Sequence, residues 1–315
     1  MTLRVIKPGL QSTLQGAPFS GHRHLGMPAA GAADCLSLAL ANHLVGKVAG
    51  AIAIETTLDD VKFTAERPTG MAITGAAAFV RKNGEDRSLH ELIHAKPGDE
   101  IHVGPAGKGC RSYLAVAGEI DAQSLLGGQS TYLGAGLGGF QGRALQAGDS
   151  VQWMEGSASV TTSKQTPDGL RPILSDKHII RVTAGPELSA LTSYSQEILF
   201  EQKRKIGLRA NRMGLNLQGT ILETANGAQM QSAPVFPGTM QCPPDGEPFL
   251  LGPDAQTTGG YPRIAQVIRA DRHLIGQLRP GSEIQFVKIT NERATEIYRQ
   301  KLSLLTPWLG AINLW

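Results

Sequence analysis

Cysteine, long apolar runs and dense positive charge are all scarce in this 315-residue sequence, and each scarcity excludes a class of protein. The three cysteines, Cys35, Cys110 and Cys242, are far apart and odd in number, which fits neither a disulfide framework nor a zinc site. No apolar run approaches the ~18 residues that a membrane-spanning helix needs. The first residues enter a strand-like pattern without the apolar core of a signal peptide. We therefore expect a cytoplasmic protein in a reducing compartment.

Charge is also sparse, because charged residues make up 18% of the chain and the formal net charge is +3. The basic cluster Lys203–Lys205 sits beside Glu201 and has no aromatic residues interleaved with it. A nucleic-acid interface would need a denser basic face. We therefore interpret the cluster as a solvated surface and expect no nucleic-acid partner.

Several familiar site motifs are absent or incomplete. The sequence has no phosphate-binding G-x-x-x-x-G-K-[ST] loop, no G-x-S-x-G and no H-E-x-x-H. Gly134–Gly139 matches G-x-G-x-x-G, but further glycines break the segment that follows, so we interpret it as a flexible loop that carries Arg143. His22 and His24 have no acidic residue within nine positions of His24, so we expect no metal site.

Glycine and proline, by contrast, are plentiful, with 38 and 18 residues, and they separate short apolar runs. Three turns, Lys96–Asp99, Gln146–Asp149 and Arg279–Ser282, each place a glycine just ahead of an alternating strand, a layout typical of antiparallel β structure. The pattern predicts a mainly β fold with a few helices.

Three helices are expected. Asp34 caps the first, which stops at Gly46. The second opens at Pro186 and runs to Leu199, and the third runs from Thr290 to Leu305 and ends before Pro307. The polar, low-complexity stretch Glu155–Pro167 is interpreted as a linker. We therefore divide the chain into two β-rich domains, residues 1–165 and 166–315.

The nine residues from Asp254 to Pro262 form the most informative segment. They contain a carboxylate, an amide, two hydroxyls, a phenol and two glycines between two apolar runs. Polar loops mounted on buried strands are where binding residues concentrate, although a structural turn is the alternative. On this basis we expect that Gly260→Ala and Asp254→Asn reduce activity more than stability. The expected ligand-binding residues of the loop are Gln256, Thr257, Thr258, Gly259, Gly260 and Tyr261.

Three other charged residues are candidates for chemistry. Arg212 and Arg143 are the cations expected to meet an anionic substrate, because a guanidinium offers a planar fork to a carboxylate or phosphate. Glu55 lies inside an apolar, strand-like run, where it either pairs with a buried cation or does acid–base work. The expected catalytic residues are therefore Asp254, Arg212 and Glu55.

The ordered series of motifs along the chain resembles the allophanate hydrolase subunit 2 and urea amidolyase-related family. This family includes the carboxyltransferase region of urea carboxylase and the C subunit of bacterial 5-oxoprolinase. The segments that carry the resemblance are Gly26–Asp34, Ala41–Gly46, Glu55–Leu58, Arg111–Gly118, Gly142–Arg143, Asn211–Gly214, Ser232–Pro234, Pro237–Pro243, Asp245–Pro248 and Asp254–Pro262. The match to Pro237–Pro243 adds Gln241 to the expected substrate-binding residues.

The resemblance implies two cyclophilin-like β-barrel domains and assembly with other polypeptides. The implied partners are a B-type protein, which is of the allophanate hydrolase subunit 1 type, and an A-type lactamase protein, and the complex would use ATP. Biotin enters only in the carboxylase branch, and this sequence has no Met-Lys-Met acceptor. The family's Gln-Asp-x-Gly-Arg segment is altered here, because Gln15 is followed by Gly16–Phe19.

Three functions follow from the resemblance as expectations. The first is the C subunit of an ATP-dependent 5-oxoprolinase complex, which hydrolyses the 5-oxoproline lactam to glutamate. The second is a biotin-dependent carboxyltransferase that acts on urea or a related amide. The third is a non-catalytic regulatory partner, which the altered Gly16–Phe19 segment motivates.

Overall fold

The computed structural model describes residues 2–154, 165–224 and 230–315. The chain forms two compact units: the first comprises Met1–Phe19, Asp34–Leu174 and Leu305–Asn313, and the second comprises Ser20–Ala33, Ser175–Leu304 and Leu314–Trp315. The division at residue 165 stays a prediction. Residues 155–164 of the expected linker lie outside the described residues.

The first unit contains one α-helix and a series of short strands. They are α1 (Cys35–Leu44), β1 (Thr2–Lys7), β2 (Gln11–Gln15), β3 (Ala53–Thr57), β4 (Val61–Ala65), β5 (Thr69–Gly75), β6 (Val80–Lys82), β7 (Glu85–Arg87), β8 (Leu92–Ala95), β9 (Glu100–Val103), β10 (Arg111–Val116), β11 (Glu119–Ile120) and β12 (Ser150–Met154).

Two sheets make up this unit. A seven-stranded sheet has the order β11-β12-β1-β4-β9-β6-β7, and a five-stranded sheet has the order β2-β3-β10-β5-β8. Alternating residues of both sheets enter one apolar cluster, as the burial of Leu3, Phe63, Ile73 and Trp153 illustrates. Removing these side chains from water is the main force that holds the two sheets in place.

The second unit contains a further set of strands and two helices. They are β13 (Lys177–Ala184), α2 (Ser193–Glu201), β14 (Arg204–Ala210), β15 (Gly214–Gln218), β16 (Ala233–Pro234), β17 (Thr239–Gln241), β18 (Phe249–Leu251), β19 (Thr258–Gly259), β20 (Arg263–Val267), β21 (Glu283–Lys288) and α3 (Asn291–Leu309), whose last residues fall to the first unit.

Seven of these strands close into a barrel in the order β13-β20-β17-β18-β15-β14-β21. All neighbouring pairs are antiparallel except β13 and β21, which are parallel. The interior is an apolar cluster that includes Ile180, Leu217, Met240 and Phe286. Closure leaves no free strand edge in the barrel. The predicted mainly β fold is confirmed.

The three turns that were predicted from sequence share one conformation. Gly98, Gly148 and Gly281 have φ of 86°, 91° and 89°, a region that side chains with a Cβ rarely adopt. In each turn the residue after the glycine donates its N–H to the carbonyl three residues earlier, at 3.0, 3.1 and 3.0 Å. The strands β9, β12 and β21 begin directly after these turns, as predicted.

The helix predictions were correct for α1 and only partly correct for the others. Asp34 caps α1 by accepting from the backbone N–H groups of Leu36 and Ser37. The predicted helix from Pro186 is instead a short 3-10 turn followed by α2, because Thr192 adopts an extended conformation and caps α2. Helix α3 passes through Pro307, which lies in its last turn, so the predicted end before Pro307 was wrong.

The interpretation of Lys203–Lys205 as a solvated surface was wrong for its middle residue. Lys203 and Lys205 are exposed, but Arg204 is only 3% exposed. Arg204 begins β14, and alternate side chains of this strand enter the barrel interior.

Among the described helices, none is long and apolar enough to cross a membrane.

Candidate functional site in the second unit

The polar loop after β18 is anchored by a buried ion pair between Arg212 and Asp254. Arg212 Nε donates to one carboxylate oxygen at 2.9 Å, and Nη2 donates to the other at 2.8 Å. Nη2 also donates to the Gly31 carbonyl at 2.6 Å. Both side chains are about 5% exposed or less. The two opposite charges therefore neutralise each other inside the protein, and the pair fixes the loop.

Two neighbouring turns bring this pair together. Arg212 lies in the turn between β14 and β15, where Asn211 Oδ1 accepts from the Met213 and Gly214 N–H groups. The Asp254 N–H donates to the Arg212 carbonyl at 3.0 Å. A Cβ on Gly252 would stand 2.3 Å from that same carbonyl oxygen, so this close approach requires glycine.

A second set of contacts joins the loop to β17. Gln241, which is 2% exposed, donates from Nε2 to the Tyr261 carbonyl at 3.1 Å. Its Oε1 accepts from Gln256 Nε2 at 3.3 Å. A Cβ on Gly259 would lie 2.5 Å from Gln241 Nε2. Gln241 therefore fixes the loop from inside and is not itself accessible to a ligand.

The loop presents its polar groups outward from these anchors. Gln256, Thr258 and Tyr261 are exposed, with Tyr261 at 42%, and Thr257 is partly buried. Strand β19 pairs with β16, with Thr258 opposite Pro234 and Gly259 opposite Ala233. The surface that can meet a ligand thus consists of an amide, hydroxyls and a phenol, while Asp254, Arg212 and Gln241 hold it in place.

Sequence reasoning missed a cation beside this loop, Arg23. Its Nη2 donates to the Val235 carbonyl, and the Val235 N–H donates to the Thr257 carbonyl at 3.0 Å. The Arg23 guanidinium also stacks on the half-exposed Phe236 ring, 5.0 Å from its centroid. Arg23 Nη1 is buried, and among the described residues it has no hydrogen-bond partner. In the sequence, Arg23 lies between His22 and His24, a pattern that suggests metal ligands and does not single out the arginine.

Glu55 lies in the first unit and is 1% exposed. Its Oε1 lies 3.4 Å from Arg111 Nε, and its Oε2 accepts from the Tyr113 phenol at 2.7 Å. The same phenol oxygen accepts from the Asp34 N–H at 2.7 Å. Burial, followed by the charges of Glu55 and Asp34, raises the pKa of Tyr113 well above its usual value. Of the two expected roles for Glu55, the structure shows the pairing with a buried cation.

Arg143 also lies in the first unit and is already paired. Its two terminal nitrogens donate to the Asp149 carboxylate at 2.7 and 2.9 Å. Hydrogen bonding to Asp149 raises the pKa of Arg143, and the same contact lowers the pKa of Asp149. Arg143 therefore holds the glycine-rich loop on the Asp149 turn. An anionic ligand would have to compete with this carboxylate.

A polar cleft of about 740 Å³ lies beside this glycine-rich loop in the first unit. Its lining includes a carboxylate and three carboxamides, from Asp121, Gln123, Gln141 and Gln152. None of these residues was a sequence candidate, because glutamines scattered along the chain carry no recognisable spacing.

Across the described ranges, no group of three or more histidine, cysteine or acidic side chains is arranged to hold a metal ion. The second-unit site offers hydrogen-bond donors and acceptors, and the guanidinium of Arg23 lies beside them.

Residues 25–288 match the family model described as carboxyltransferase domain, subdomain A and B. The chain belongs to this family. The matched region includes the whole Asp254–Pro262 loop, Arg212 and Gln241.

Named relatives fall into two groups. The chain is 35% identical over 292 residues to the 5-oxoprolinase C subunit of Escherichia coli (strain K12), and the match covers 93% of each chain. It is 32% identical over 315 residues to urea amidolyase of Lachancea kluyveri, where the match covers 93% of this chain but 17% of the relative. Similarity to the first group is therefore end to end, whereas similarity to the second is confined to one region of a longer protein.

A solved structure shares the fold over nearly the whole chain. The K. lactis urea amidolyase superposes with a TM-score of 0.91 at 28% sequence identity, over 98% of this chain and 20% of that chain. The chain thus spans about a fifth of that protein, and the fold prediction is confirmed by this likeness.

Proposed function

We propose that this chain is the C subunit of an ATP-dependent 5-oxoprolinase complex that opens the 5-oxoproline lactam to glutamate. The observation that carries the proposal is the end-to-end similarity to a relative named as the C subunit of 5-oxoprolinase, in which 93% of each chain is matched. The partners would be a B-type protein of the allophanate hydrolase subunit 1 type and an A-type lactamase protein. The complex, rather than this chain alone, would use ATP.

The Asp254–Pro262 loop supplies groups that suit a lactam. A lactam ring offers one N–H donor and one carbonyl acceptor, and the exposed Gln256 and Thr258 side chains can serve both. The pair Arg212–Asp254 positions these groups and takes no direct part, because its charges are already paired and buried. Restricting the motion of the loop in this way lowers the entropic cost of binding.

The carboxylate of 5-oxoproline needs a cation, and Arg23 is the cation available next to the loop. Its Nη1 has no partner among the described residues, whereas Arg212 is committed to Asp254 and Gly31. Nη1 is buried, so binding requires a local movement that exposes it. A charge-assisted hydrogen bond from Arg23 would orient the ring against the loop. The role first expected of Arg212 therefore passes to Arg23 in this proposal.

Ring opening requires activation, since an amide carbonyl is a poor electrophile. Transfer of the γ-phosphoryl group of ATP to the lactam oxygen releases ADP and makes the ring carbon open to attack by water. The ring C–N bond then breaks, the nitrogen becomes the amine of glutamate, and a second water releases phosphate. In this sequence the present chain binds and orients the ring.

Reconstitution tests the proposal directly. The chain, combined with its B-type and A-type partner proteins, should convert 5-oxoproline to glutamate only when ATP is present, with one ADP formed per glutamate. Omission of this chain should abolish the coupled reaction. No turnover by the complete set of three, or full turnover without this chain, would contradict the proposal; the second result would favour a regulatory role.

A biotin-dependent carboxyltransferase is the second candidate, because the matched family model is a carboxyltransferase domain and the K. lactis urea amidolyase shares the fold. Here the same loop would orient an amide acceptor such as urea, and biotin would arrive on another polypeptide. Transfer of labelled carboxyl groups from a carboxylated carrier to urea, but not ATP-dependent glutamate formation, would select this function.

A further inference from the structure

Arg204 and His178 occupy the same row of the second-unit barrel, on either side of Ile284. The register places His178 opposite Ile284 across the β13–β21 pair and Arg204 opposite Ile284 across the β21–β14 pair. Neighbouring strands are separated by about 4.8 Å, so the two flanking Cα atoms are roughly 10 Å apart. Both side chains are buried on the same strand faces as Ile180 and Ile206, which belong to the apolar core.

Polar atoms without partners are concentrated here. Among the described residues, Arg204 Nε and Nη1, His178 Nε2 and Ser282 Oγ are buried and form no hydrogen bond. Ser282 lies two residues before Ile284, on the same face of the chain. Arg204 is 3% exposed, His178 7% and Ser282 2%. Buried polar groups are nearly always hydrogen-bonded, so four such atoms in one region point to a ligand.

The positive charge of Arg204 is the central observation. Its Nη2 donates to the Thr220 carbonyl at 3.0 Å, and no carboxylate pairs with it in residues 2–154, 165–224 and 230–315. A guanidinium stays charged at any physiological pH. Its ionisable neighbour is Cys242, but burial raises the pKa of that thiol to about 11, so the thiol is neutral. An unpaired buried charge is costly, and an anion would remove that cost.

A groove of about 290 Å³ adjoins this row. It is lined by His178 and Ile284 together with Lys177, Lys203 and Glu283. Lys203 lies 3.9 Å from Glu283, which leaves the groove with an excess of positive charge. Of the polar residues in the row, His178 lines the groove, whose volume is sufficient for a small oxyanion.

His178 adds a preference for one kind of oxyanion. Its ring hydrogen-bonds to the Ser175 backbone, and burial lowers its pKa below the usual value, so the ring is neutral at pH 7. Nε2 is the nitrogen without a partner among the described residues, and in this tautomer it accepts a hydrogen bond. An oxyanion that carries a hydroxyl group can donate to it.

We propose that Arg204, His178 and Ser282 form a binding site for a small protonated oxyanion, hydrogenphosphate or hydrogencarbonate. The oxyanion accepts from Arg204 and Ser282 and donates to His178. The site is built within the second-unit barrel, from residues separate from the Asp254–Pro262 loop. It does not depend on the function proposed above.

Anion titration of the purified chain tests this site. Phosphate, bicarbonate (in sealed cells) and sulfate are added at constant ionic strength, with chloride as the balancing ion, and both the melting temperature and the histidine NMR signals are followed. Phosphate or bicarbonate should raise the melting temperature saturably and shift the His178 signal with the same midpoint. Sulfate, which has no proton at pH 7, should bind at least tenfold more weakly. The proposal would be overturned if sulfate had the same effect as phosphate and bicarbonate, or if none of the three had an effect beyond that of chloride.

Two variants locate the response. Arg204→Met removes the buried charge with a side chain of similar size and should weaken binding of phosphate or bicarbonate at least tenfold. Lys205→Met is the matched control, because it removes the exposed charge next along β14 and should leave the midpoint within twofold. If Arg204→Met does not fold, the His178 signal of the unmodified chain still decides, since a signal that does not move with phosphate or bicarbonate contradicts the site.

Discussion

Arg212 and Asp254 are 42 residues apart in sequence and form two side-chain hydrogen bonds, at 2.9 and 2.8 Å, inside the second unit. The sequence predicts Asp254 to be catalytic and Arg212 to meet an anionic substrate. In the structure the two side chains are instead each other's partners. Each neutralises the other. In the structure the pair fixes the loop that follows Asp254.

Removal of one member of this pair should destabilise the protein strongly. Asp254→Asn removes the carboxylate that accepts two hydrogen bonds from the buried Arg212 guanidinium, so we expect a loss of about 3–5 kcal/mol in the free energy of unfolding. This reverses the expectation from sequence that the substitution spares folding. Urea denaturation of the purified chain measures the effect.

A double variant separates pairing from other causes. Asp254→Asn combined with Arg212→Met should recover much of the lost stability, because the buried guanidinium that loses its two hydrogen bonds to the carboxylate is then removed as well. The exposed pair Arg209–Glu247, at 72% and 31% exposure, provides the control. Arg209→Met should change stability by under about 1 kcal/mol. A single variant Asp254→Asn as stable as the original protein would show that the pair does not hold the loop.

The adjacent glycines of the loop should respond differently to alanine. A Cβ on Gly259 stands 2.5 Å from Gln241 Nε2, whereas a Cβ on Gly260 is 3.3 Å from its nearest atom, the Met230 carbonyl oxygen. Gly259→Ala should displace the Gln241 amide and break its contacts with Tyr261 and Gln256. We expect a stability loss of about 1 kcal/mol and a larger loss of turnover, measured per folded molecule in the reconstituted complex.

Gly260→Ala is the matched control for this prediction. It should have the smaller effect, because neither glycine has a positive φ and a Cβ at Gly260 needs the Met230 carbonyl oxygen to move by only a few tenths of an ångström. The sequence predicts a loss of activity in Gly260→Ala, and the geometry of the two glycines leads us to expect the larger loss in Gly259→Ala. Equal effects of the two substitutions would contradict the role given to Gln241.

Local sequence patterns predicted much of the fold. The features that they did not predict depend on side-chain contacts between residues far apart in sequence. The turns at Gly98, Gly148 and Gly281 were predictable because a glycine and a following alternating strand are neighbours in sequence. The loop at Asp254 was recognisable by its composition. The contact of Arg23 with Val235 spans 212 residues. No local spacing encodes such a contact, because it depends on how two distant segments of the second unit pack together.

The same reasoning explains the error at Arg204. When the positions of the strands are unknown, a run of three basic residues is naturally interpreted as exposed to solvent. Once β14 is placed in the barrel, alternation sends the middle side chain inward and leaves Lys203 and Lys205 outside. The three residues carry the same charge, but Arg204 is buried whereas Lys203 and Lys205 are exposed to solvent.

Stability should fall in acid because of buried neutral histidines. Burial, with a contribution from Arg171, lowers the pKa of His90 to about 4. Between pH 6.5 and 4 the unfolded chain binds a proton at this residue and the folded chain does not. The free energy of unfolding should therefore decrease by about 1.4 kcal/mol per pH unit as pH falls through this range, about 3 kcal/mol in total from His90.

His90→Asn tests this assignment. His90 has a φ of 61°, and asparagine tolerates that conformation better than most residues. The variant should flatten the decrease in stability between pH 6.5 and 4, measured by urea denaturation at a series of pH values. His24→Asn, at an exposed position, should leave the slope unchanged. An unchanged slope in His90→Asn would assign the acid sensitivity to other groups, such as His273, whose pKa is also lowered by burial.

Arg23 should control the affinity of the complex for its substrate carboxylate. Arg23→Gln keeps a hydrogen-bond donor near the Val235 carbonyl but removes the charge. Loss of one charge-assisted hydrogen bond costs about 1.5–3 kcal/mol, which corresponds to a rise in KM for 5-oxoproline of roughly 10- to 150-fold. Folding should be nearly unaffected, since Arg23 is only partly buried and pairs with no carboxylate among the described residues.

Steady-state kinetics of the reconstituted complex would measure KM and kcat separately for Arg23→Gln. Arg209→Gln provides the control for loss of a surface charge, because Arg209 is 72% exposed and should leave KM unchanged. An unchanged KM in Arg23→Gln, with the complex intact, would remove Arg23 from the binding site and assign the substrate carboxylate to a cation elsewhere.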